Sequence, residues 1–208
     1  MPTTKLYPSI LNLIEELKQE WDLIPEARKN LLQQMAQYLD AKNSTAQAIQ
    51  LNFICTHNSR RSHISQIWSA TAAYYYGLKE AQHFSGGTEA TAFNPRAIAA
   101  MRRAGFQIEA PEAVNPHCKV SFANDAAPIV CFSKTFDDPF NPVKGFAAIM
   151  TCSDADQNCP FVPGAEKRFA LTYEDPKVAD DTPAEEAKYD ERVRQIGREI
   201  LYWYSWVQ

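Results

Sequence analysis

Apolar residues recur at helical spacing over the first part of the chain. The first stripe has polar residues between its members, which are Ile10, Leu13, Ile14 and Leu17. Pro25 suits the first turn of a second helix, and the stripe that follows it consists of Leu31, Leu32, Met35 and Leu39. Apolar side chains three or four positions apart lie on one face of a helix. The pattern therefore predicts a helical extension over residues 1–48 that packs on the main domain or on a second subunit.

After residue 50 the pattern changes to short apolar runs. Leu51–Ile54 and Phe146–Thr151 are runs typical of buried strands, and Gln82–Phe84 and Arg168–Thr172 have the same character. These runs predict the strands of a main domain over residues 49–208.

Helical stripes separate the predicted strands. One begins after Ser62, one at Asn94-Pro95, where Asn suits the N-cap and Pro the first helical position, and one at Thr182. Alternating strands and helices imply a parallel sheet that is covered on both faces. The predicted fold class is therefore α/β, a small parallel sheet with helices on both faces.

One stretch interrupts this alternation. Cys118–Phe122 and Ile129–Phe132 have the character of short strands around a turn that contains Pro128. The sequence therefore predicts a β-hairpin, inserted into the main domain over about residues 115–145.

The composition is that of an ordinary globular protein. The 208 residues carry a formal net charge of −4, so no general affinity for nucleic acid or for an anionic membrane surface is expected. No apolar run reaches the roughly 20 residues that cross a bilayer, and no signal-peptide pattern is evident. The cysteines number five, an odd count that argues against a secreted disulfide scaffold. These features favour a cytoplasmic protein with reduced or catalytic thiols.

Cys55 stands at the end of the first predicted strand, and Arg61 follows it by six positions. Ligands bind at the carboxyl ends of strands in parallel sheets, and the helix after Ser62 directs its positive end to the same point. That field favours the thiolate of Cys55, and Arg61 can bind two oxygens of an anion at once, unlike a lysine. The segment therefore predicts a nucleophilic thiolate in an oxyanion-binding loop. The other residues of this loop are Thr56, His57, Asn58, Ser59, Arg60 and Ser62.

The loop residues are expected to divide between two tasks. Asn58 and Ser62 are suited to bracing the loop and to forming hydrogen bonds with Cys55. His57 and Arg60 are expected to set the electrostatics of its outer side.

A second pair of thiols lies in a polar segment after a predicted strand. Cys152 and Cys159 are separated by six residues. Zinc usually requires four ligands with spacings of two to four residues, a set that Cys118 and Cys131 could in principle complete. A thiol relay is the favoured interpretation, because a nucleophilic thiolate is already expected at Cys55. No metal site is predicted.

Asp175 and Pro176 follow the last predicted strand. An Asp-Pro pair alone is more often a turn, but an acid on a loop after a strand can deliver a proton to a leaving oxygen. Beside the two thiol signals, Asp175 is therefore interpreted as the general acid, in preference to Glu174.

Separated motifs of the chain resemble those of a known family. They are Cys55-Thr-His-Asn-Ser-Arg-Arg61-Ser, Ser85-Gly-Gly-Thr-Glu, Asn94-Pro-Arg-Ala-Ile-Ala-Ala-Met and Cys152-Ser-Asp-Ala-Asp-Gln-Asn-Cys-Pro160. They resemble the low-molecular-weight protein tyrosine phosphatases and the thioredoxin-coupled arsenate reductases built on that fold. The last motif closely resembles the redox segment of the reductases. Asp175-Pro176 falls where the family places its general acid. The resemblance covers about residues 50–208 and leaves out residues 1–48 and the 115–145 insertion.

The resemblance implies reduction of arsenate to arsenite by a relay of thiols. In that scheme Arg61 and the loop amides bind arsenate, Cys55 attacks arsenic, and Asp175 helps a hydroxyl to leave as water. Cys152 then attacks the sulfur of Cys55, arsenite departs, and Cys159 takes over the disulfide, which thioredoxin reduces. The scheme implies no bound cofactor, with thioredoxin as electron donor, and a mobile segment between Cys152 and Cys159.

The chain departs from the family pattern at several positions. The family loop commonly has glycine where His57 stands and often cysteine where Arg60 stands. The phosphatases usually carry aromatic residues after the Asp-Pro pair, where this chain has Lys177, Val178 and Ala179. The absence of aromatic residues after the Asp-Pro pair argues against a tyrosine phosphatase.

Two alternatives stay open beside the reductase. A phosphatase would hydrolyse phosphate monoesters through a phosphocysteine at Cys55, since arsenate and phosphate are nearly isosteric. A non-enzymatic module would sense redox state or an anion through the N-terminal helices, against which the intact Cys55, Arg61 and Asp175 argue. The expected partners are an arsenate or phosphate-containing substrate and thioredoxin, with a homodimer through the N-terminal helices as a further candidate. Cys118 and Cys131 have no place in the relay and are interpreted as structural.

Overall fold

The computed structural model describes residues 5–78, 80–159 and 161–207, so Pro160 of the second thiol motif lies outside the described residues. The strands in chain order are β1 (Gln50–Cys55), β2 (Gln82–Gly87), β3 (Gln107–Glu109), β4 (Cys118–Ser121), β5 (Ile129–Cys131), β6 (Phe146–Met150) and β7 (Ala165–Ala170). The helices are α1 (Pro8–Gln19), α2 (Glu26–Ser44), α3 (Arg61–Tyr76), α4 (Pro95–Arg103), α5 (Ser153–Asn158) and α6 (Glu185–Ser205). None of the described helices combines the length and the apolar character that crossing a membrane requires.

Within the described residues, the main sheet has four parallel strands in the order β2-β1-β6-β7. β1 lies in the interior of this sheet, between β2 and β6, and is therefore buried from Leu51 to Cys55. Leu51 and Phe53 belong to a large core that includes α3 and α6, whereas Ile54 belongs to a smaller cluster that includes Ala155 of α5. The predicted parallel sheet with helices on both faces is confirmed.

Helices α1 and α2, the N-terminal helices, share one core with the main sheet. Their buried side chains are Ile10, Ile14, Leu17, Leu32, Met35, Ala36 and Leu39. The same core contains Leu51, Trp68 and Ile196. Because burying one large apolar side chain contributes about 1.5–3 kcal/mol, this contact stabilises both helices strongly. The apolar stripes thus pack on the main body of the same chain, and a domain boundary at residue 48 stays a prediction.

The predicted hairpin is confirmed as β4 and β5, which pair antiparallel with Cys118 opposite Cys131. β3 enlarges it to an antiparallel sheet of the order β3-β4-β5. The sequence does not predict β3, because the strand is short and Ile108 is its single buried side chain, so no period can be detected. After β5 the chain runs to Thr135, which pairs with Gly87 at the end of β2. The insertion therefore contacts the main sheet where β1 and β2 end.

Three elements differ from the sequence prediction in their extent. β2 continues to Gly87 because its last residues pair with the end of β1, Gly87 lying opposite Cys55. β7 begins before the predicted range Arg168–Thr172 and ends earlier, because an edge strand with an exposed polar face carries a weak apolar signal. α6 begins at Glu185, three residues after Thr182, because the Glu185 carboxylate accepts a backbone N–H from the preceding turn.

Candidate functional site

The loop after β1 has its carbonyl groups tied to the surrounding structure. The Cys55 carbonyl accepts from the Thr88 N–H at 3.1 Å, and the Thr56 carbonyl accepts from the Glu89 N–H at 2.8 Å. The His57 carbonyl accepts from Ser133 Oγ at 2.8 Å, and the Ser59 carbonyl accepts from the Asn94 N–H at 2.9 Å. Among the described residues, the backbone N–H groups of residues 57–60 donate to no protein acceptor. Successive N–H groups left over in this way, beside the N-terminus of α3, are available to an anion.

Asn58 and Ser62 brace the loop at the thiol. Ser62 Oγ lies 3.1 Å from Cys55 Sγ, and Asn58 Nδ2 donates to Ser62 Oγ at 2.9 Å. Asn58 Oδ1 accepts from the backbone N–H of Lys134 at 3.0 Å. Asn58 has a left-handed φ of 44°, which asparagine tolerates better than most residues. Because the amide of Asn58 donates to the Ser62 hydroxyl, the hydroxyl hydrogen remains available to Cys55, where it stabilises a thiolate.

Gly87 is packed against the outer side of the loop. A Cβ atom there would lie 2.3 Å from the Glu89 carbonyl oxygen and 2.7 Å from Asn58 N and Thr56 O. We expect Gly87→Ala to displace the loop, to weaken binding of inorganic phosphate at least about tenfold, and to lower the free energy of unfolding by about 1–3 kcal/mol. Calorimetric titration and urea unfolding measure the two effects.

Gly145→Ala is the matched control for this prediction. Gly145 has a φ of 75°, but a Cβ atom there meets nothing within 4 Å. The control variant should lose about 1 kcal/mol of stability through backbone strain and bind phosphate as before. Equal losses of phosphate affinity in the two variants would contradict a specific role of Gly87 at the loop.

Arg61 is buried at the start of α3. Nη1 donates to the Tyr173 carbonyl at 2.9 Å, and Nη2 donates to Asp175 Oδ2 at 2.7 Å. Its buried Nε has no hydrogen-bond partner in the part of the chain that the structure describes. A buried guanidinium N–H without an acceptor is unfavourable until a ligand supplies one. Nε of Arg61 is therefore a donor that a ligand could satisfy, whereas both Nη atoms already have protein acceptors.

Asp175 lies beside the loop, between two arginines. Its Oδ2 is 2.7 Å from Arg61 Nη2, and its Oδ1 is 3.9 Å from Arg60 Nε. The neighbouring Glu174 is exposed, and its carboxylate lies 3.5 Å from Arg192. The fold thus brings the carboxylate of Asp175, and not that of Glu174, into contact with Arg61.

His57 and Arg60 have different surroundings. His57 is on the exposed side of the loop, with its Nε2 3.5 Å from Glu89 Oε2. Arg60 reaches inward: its Nε donates to the Tyr189 hydroxyl at 2.8 Å, and its Nη2 donates to Asp180 Oδ2 at 3.4 Å. The outer position expected for both residues thus holds for His57 alone, and its electrostatic role stays a prediction. Arg60 instead anchors the loop to Tyr189 of α6, which only the tertiary fold brings within its reach.

Cys152 and Cys159 occupy the two ends of α5. Cys152 is the N-cap: its Sγ accepts from the Ala155 N–H at 3.4 Å and lies 3.5 Å from Thr56 Oγ1. Both cysteines are buried in the same small cluster as Cys55. The mobile polar segment expected from the sequence is a short helix in this structure, because the cap and the buried Ala155 anchor it beside the loop.

Cys118 and Cys131 lie in the main core, apart from the cluster of the other thiols. Burial raises the pKa of Cys118 and raises the pKa of Cys131 to about 12, which disfavours the thiolate at both positions. Within residues 5–78, 80–159 and 161–207, no group of three or more His, Cys, Asp and Glu side chains is arranged to hold a metal ion.

Residues of the insertion support the loop, although no sequence pattern marks them. Ser133 donates to the His57 carbonyl at 2.8 Å and accepts from the Thr91 N–H at 2.7 Å. The Asn115 side chain fixes Ser133 through two hydrogen bonds to its backbone, at 2.7 and 3.0 Å. No spacing in the sequence connects these residues with residue 57, so only the fold identifies them.

The curated proteins to which the chain is similar include several arsenate reductases. The chain is 32% identical over 149 residues to the arsenate reductase of Bacillus licheniformis, a match that covers 71% of this chain and 89% of the relative. It is 30% identical over 149 residues to that of Bacillus subtilis, with coverage of 71% and 89%. It is 31% identical over 124 residues to arsenate reductase 2 of Staphylococcus epidermidis, with coverage of 60% and 76%. No protein-family model matches the chain.

Solved structures of similar fold include low-molecular-weight phosphatases. The low-molecular-weight phosphotyrosine phosphatase of Vibrio cholerae O395 superposes with a TM-score of 0.51 at 12% identity, covering 74% of this chain and 94% of that one. The low-molecular-weight protein tyrosine phosphatase of T. tengcongensis gives 0.50 at 14% identity, covering 74% and 97%. These likenesses show the fold, and the reductases of 30–32% identity show the family. The chain therefore belongs to the arsenate reductase family and has the fold of the low-molecular-weight protein tyrosine phosphatases.

Proposed function

We propose that the protein reduces arsenate to arsenite through Cys55, Cys152 and Cys159, with thioredoxin as the electron donor. The observation that carries the proposal is the burial of these three thiols in one cluster, beside a loop in which the N–H groups of residues 57–60 have no protein acceptor among the described residues. The relatives of 30–32% identity are arsenate reductases, which favours the same substrate here.

Arsenate binding requires an exchange of partners at Arg61. Nη2 is engaged by Asp175 at 2.7 Å, so a bound oxyanion competes with that carboxylate for the guanidinium. An oxyanion held by Nε and Nη2 together gains a bidentate contact and releases Asp175. The released carboxyl group can then carry a proton to the leaving oxygen. Substrate binding and proton donation are coupled in this way at one arginine.

The chemistry proceeds through a sulfur–arsenic bond. The Cys55 thiolate attacks arsenic(V), and a hydroxide leaves as water with a proton from Asp175. The Cys152 thiolate then attacks the Cys55 sulfur, so that a disulfide bond forms and the sulfur–arsenic bond breaks. The electron pair of the broken bond stays on arsenic, which departs as arsenite in the arsenic(III) state. Two thiolates have then been oxidised to one disulfide.

The last exchange requires α5 to open. Cys159 must attack Cys152 to release Cys55, but the seven residue steps from one cysteine to the other across α5 span about 10 Å at the helical rise. A disulfide requires Cα atoms within roughly 4.4–6.8 Å of each other. Burial raises the pKa of Cys159, an effect that the nearby Arg168 opposes, so opening also favours the thiolate. A helix this short is only marginally stable on its own, so α5 can unfold locally. Once Cys159 has attacked Cys152, thioredoxin can reduce the exposed Cys152–Cys159 disulfide.

A phosphatase is the second candidate function, favoured by the likeness of fold to a phosphotyrosine phosphatase. Cys55 would attack phosphorus, Asp175 would protonate the leaving oxygen, and water would release the phosphate from sulfur. Exposed Val178 follows the Asp-Pro pair where those phosphatases usually have an aromatic residue, which argues against an aryl ester as the physiological substrate.

A coupled assay distinguishes the two functions. We expect the protein, with thioredoxin, thioredoxin reductase and NADPH, to oxidise NADPH when arsenate is added. Cys152→Ser and Cys159→Ser should each reduce this rate at least about a hundredfold while hydrolysis of p-nitrophenyl phosphate stays within about threefold, because only Cys55 acts on an ester. Serine is itself a favourable N-cap, so Cys152→Ser should retain α5.

Cys118→Ala is the control for this assay, since it removes a thiol of the main core and should retain both activities. Arsenate-dependent oxidation of NADPH that survives in both serine variants would exclude the relay. Rapid ester hydrolysis without any arsenate-dependent oxidation in the unmodified protein would identify a phosphatase instead.

A further inference from the structure

Arg28 of α2 reaches across the fold to the segment that carries Asp175. Its Nη2 donates to the Thr172 carbonyl at 2.6 Å, and its guanidinium lies 5.4 Å from the ring centroid of Tyr173. Its Nε is 3.5 Å from Glu199 Oε2 of α6. The N-terminal helices thus contact the acid-bearing segment directly.

The backbone of residues 172–175 is joined to the oxyanion-binding loop. The Tyr173 carbonyl accepts from Arg61 Nη1 at 2.9 Å, and the Asp175 carboxylate accepts from Nη2 at 2.7 Å. Arg28 holds the same short segment one residue before Tyr173. A displacement at Thr172 is therefore passed along three residues to the carboxyl group of Asp175.

The contact of Arg28 requires an arginine. The Glu199 side chain is 2% exposed and that of Arg28 is 21% exposed, so this 3.5 Å ion pair places a cation beside a buried carboxylate, although Glu199 Oε2 has no hydrogen-bond partner among the described residues. Gln195 donates to the other oxygen of Glu199 at 3.1 Å. The planar guanidinium reaches the Glu199 carboxylate and the Thr172 carbonyl through different nitrogens, which a lysine ammonium cannot do in the same geometry.

We propose that Arg28 is a positioning residue for Asp175, and that the N-terminal helices contribute to the active site in this way. The inference rests on the proposed function, since it requires that Asp175 donate a proton to a leaving oxygen. Proton transfer depends steeply on distance, and a misplacement of about 1 Å can reduce a rate about a hundredfold. A contact remote from the thiols can therefore act on the rate of the step in which the leaving group departs.

Three variants separate positioning from folding. Arg28→Met removes the contact, and the same change combined with Glu199→Gln removes it without leaving a buried charge. Arg28→Lys retains the positive charge but loses the planar guanidinium, whose separate nitrogens contact Thr172 and Glu199. Arg198→Met is the matched control, because Arg198 also joins α6 to the N-terminal region, through Glu20 Oε2 at 3.0 Å, and does so away from residues 172–175.

Two phosphate monoesters report on proton donation. The leaving group of phenyl phosphate is more basic than that of p-nitrophenyl phosphate, so its departure depends more on the acid. We expect Arg28→Met and the double variant to lower kcat/KM about tenfold for phenyl phosphate and less than about threefold for p-nitrophenyl phosphate, because kcat/KM reports the step in which the ester oxygen leaves. Arg28→Lys should be intermediate, and Arg198→Met should match the unmodified protein.

The Asp175→Asn background supplies a second readout. Arg28→Met should add no further loss there, because the acid that it positions is already missing. Equal losses for the two esters, or an additive loss in the Asp175→Asn background, would overturn the proposal and leave Arg28 with a structural role alone. Arsenate-dependent NADPH oxidation tests the proposed function separately, because it requires Cys152 and Cys159 whereas ester hydrolysis does not.

Discussion

Replacing Cys55 by serine is expected to lower both arsenate reduction and phosphate-ester hydrolysis at least about a thousandfold. A serine hydroxyl needs a base to become a nucleophile, and the described residues place no histidine at this point. Burial lowers the pKa of His63 to about 3, and it packs against Phe93. His57 lies on the outer side of the loop, beside Glu89. Coupled NADPH oxidation and p-nitrophenyl phosphate hydrolysis measure the two rates.

The fold should survive this change, because serine fits the site of Cys55 and Ser62 Oγ, 3.1 Å from the thiol, can bond a hydroxyl equally well. Binding of inorganic phosphate by the Cys55→Ser variant should therefore persist, which separates loss of the nucleophile from loss of the loop. Cys131→Ala, in the other core, should retain both rates. Retention of more than a tenth of either rate by the Cys55→Ser variant would assign the chemistry to another group.

Replacing Arg61 by lysine is expected to reduce kcat/KM for arsenate about a hundredfold, the scale of removing one preorganised donor at a developing oxyanion. Lysine keeps the positive charge but loses the planar fork. Arg61 needs that fork because Nη1 is committed to the Tyr173 carbonyl while Nη2 and Nε serve Asp175 or an oxyanion. Steady-state kinetics, with inorganic phosphate as a competitive inhibitor, measure the loss of turnover and of anion affinity.

Arg60→Lys is the comparison for this prediction, because it makes the same exchange at the next residue. Arg60 contacts Tyr189 and Asp180 and lies 3.9 Å from Asp175 Oδ1, so its loss should loosen the loop and cost only a few-fold. Equal losses at the two positions would mean that net charge, and not bidentate binding by Arg61, holds the anion.

Much of the fold could be predicted because its signals are local. The stripes of the N-terminal helices and of α6 follow from the helical period, and residues such as Ile14, Leu32 and Ile196 are buried as that period requires. The loop from Cys55 to Ser62 is also local, since a strand, a turn and a helix N-terminus succeed one another within a few residues.

Other features could not be predicted, because their signals are weak or distant. β3 is too short to show a period, and α5 depends on burial of its capping thiol more than on its polar composition. The inward turn of Arg60 depends on Tyr189, which is 129 residues away in sequence. Nothing near residue 60 in the sequence could indicate that partner.

The sequence by itself determined the α/β class, the stripes that become helices, and a thiol and an arginine in one loop, because each depends on residues within a turn or two of one another. The tertiary structure decided which distant residues contact that loop and the segment that carries Asp175. Asp175 meets Arg61 across 114 positions, Ser133 meets His57 across 76, and Arg28 meets Thr172 across 144. Such pairs depend on strand order and helix packing, which are settled by burial over the whole chain and leave no local pattern in the sequence.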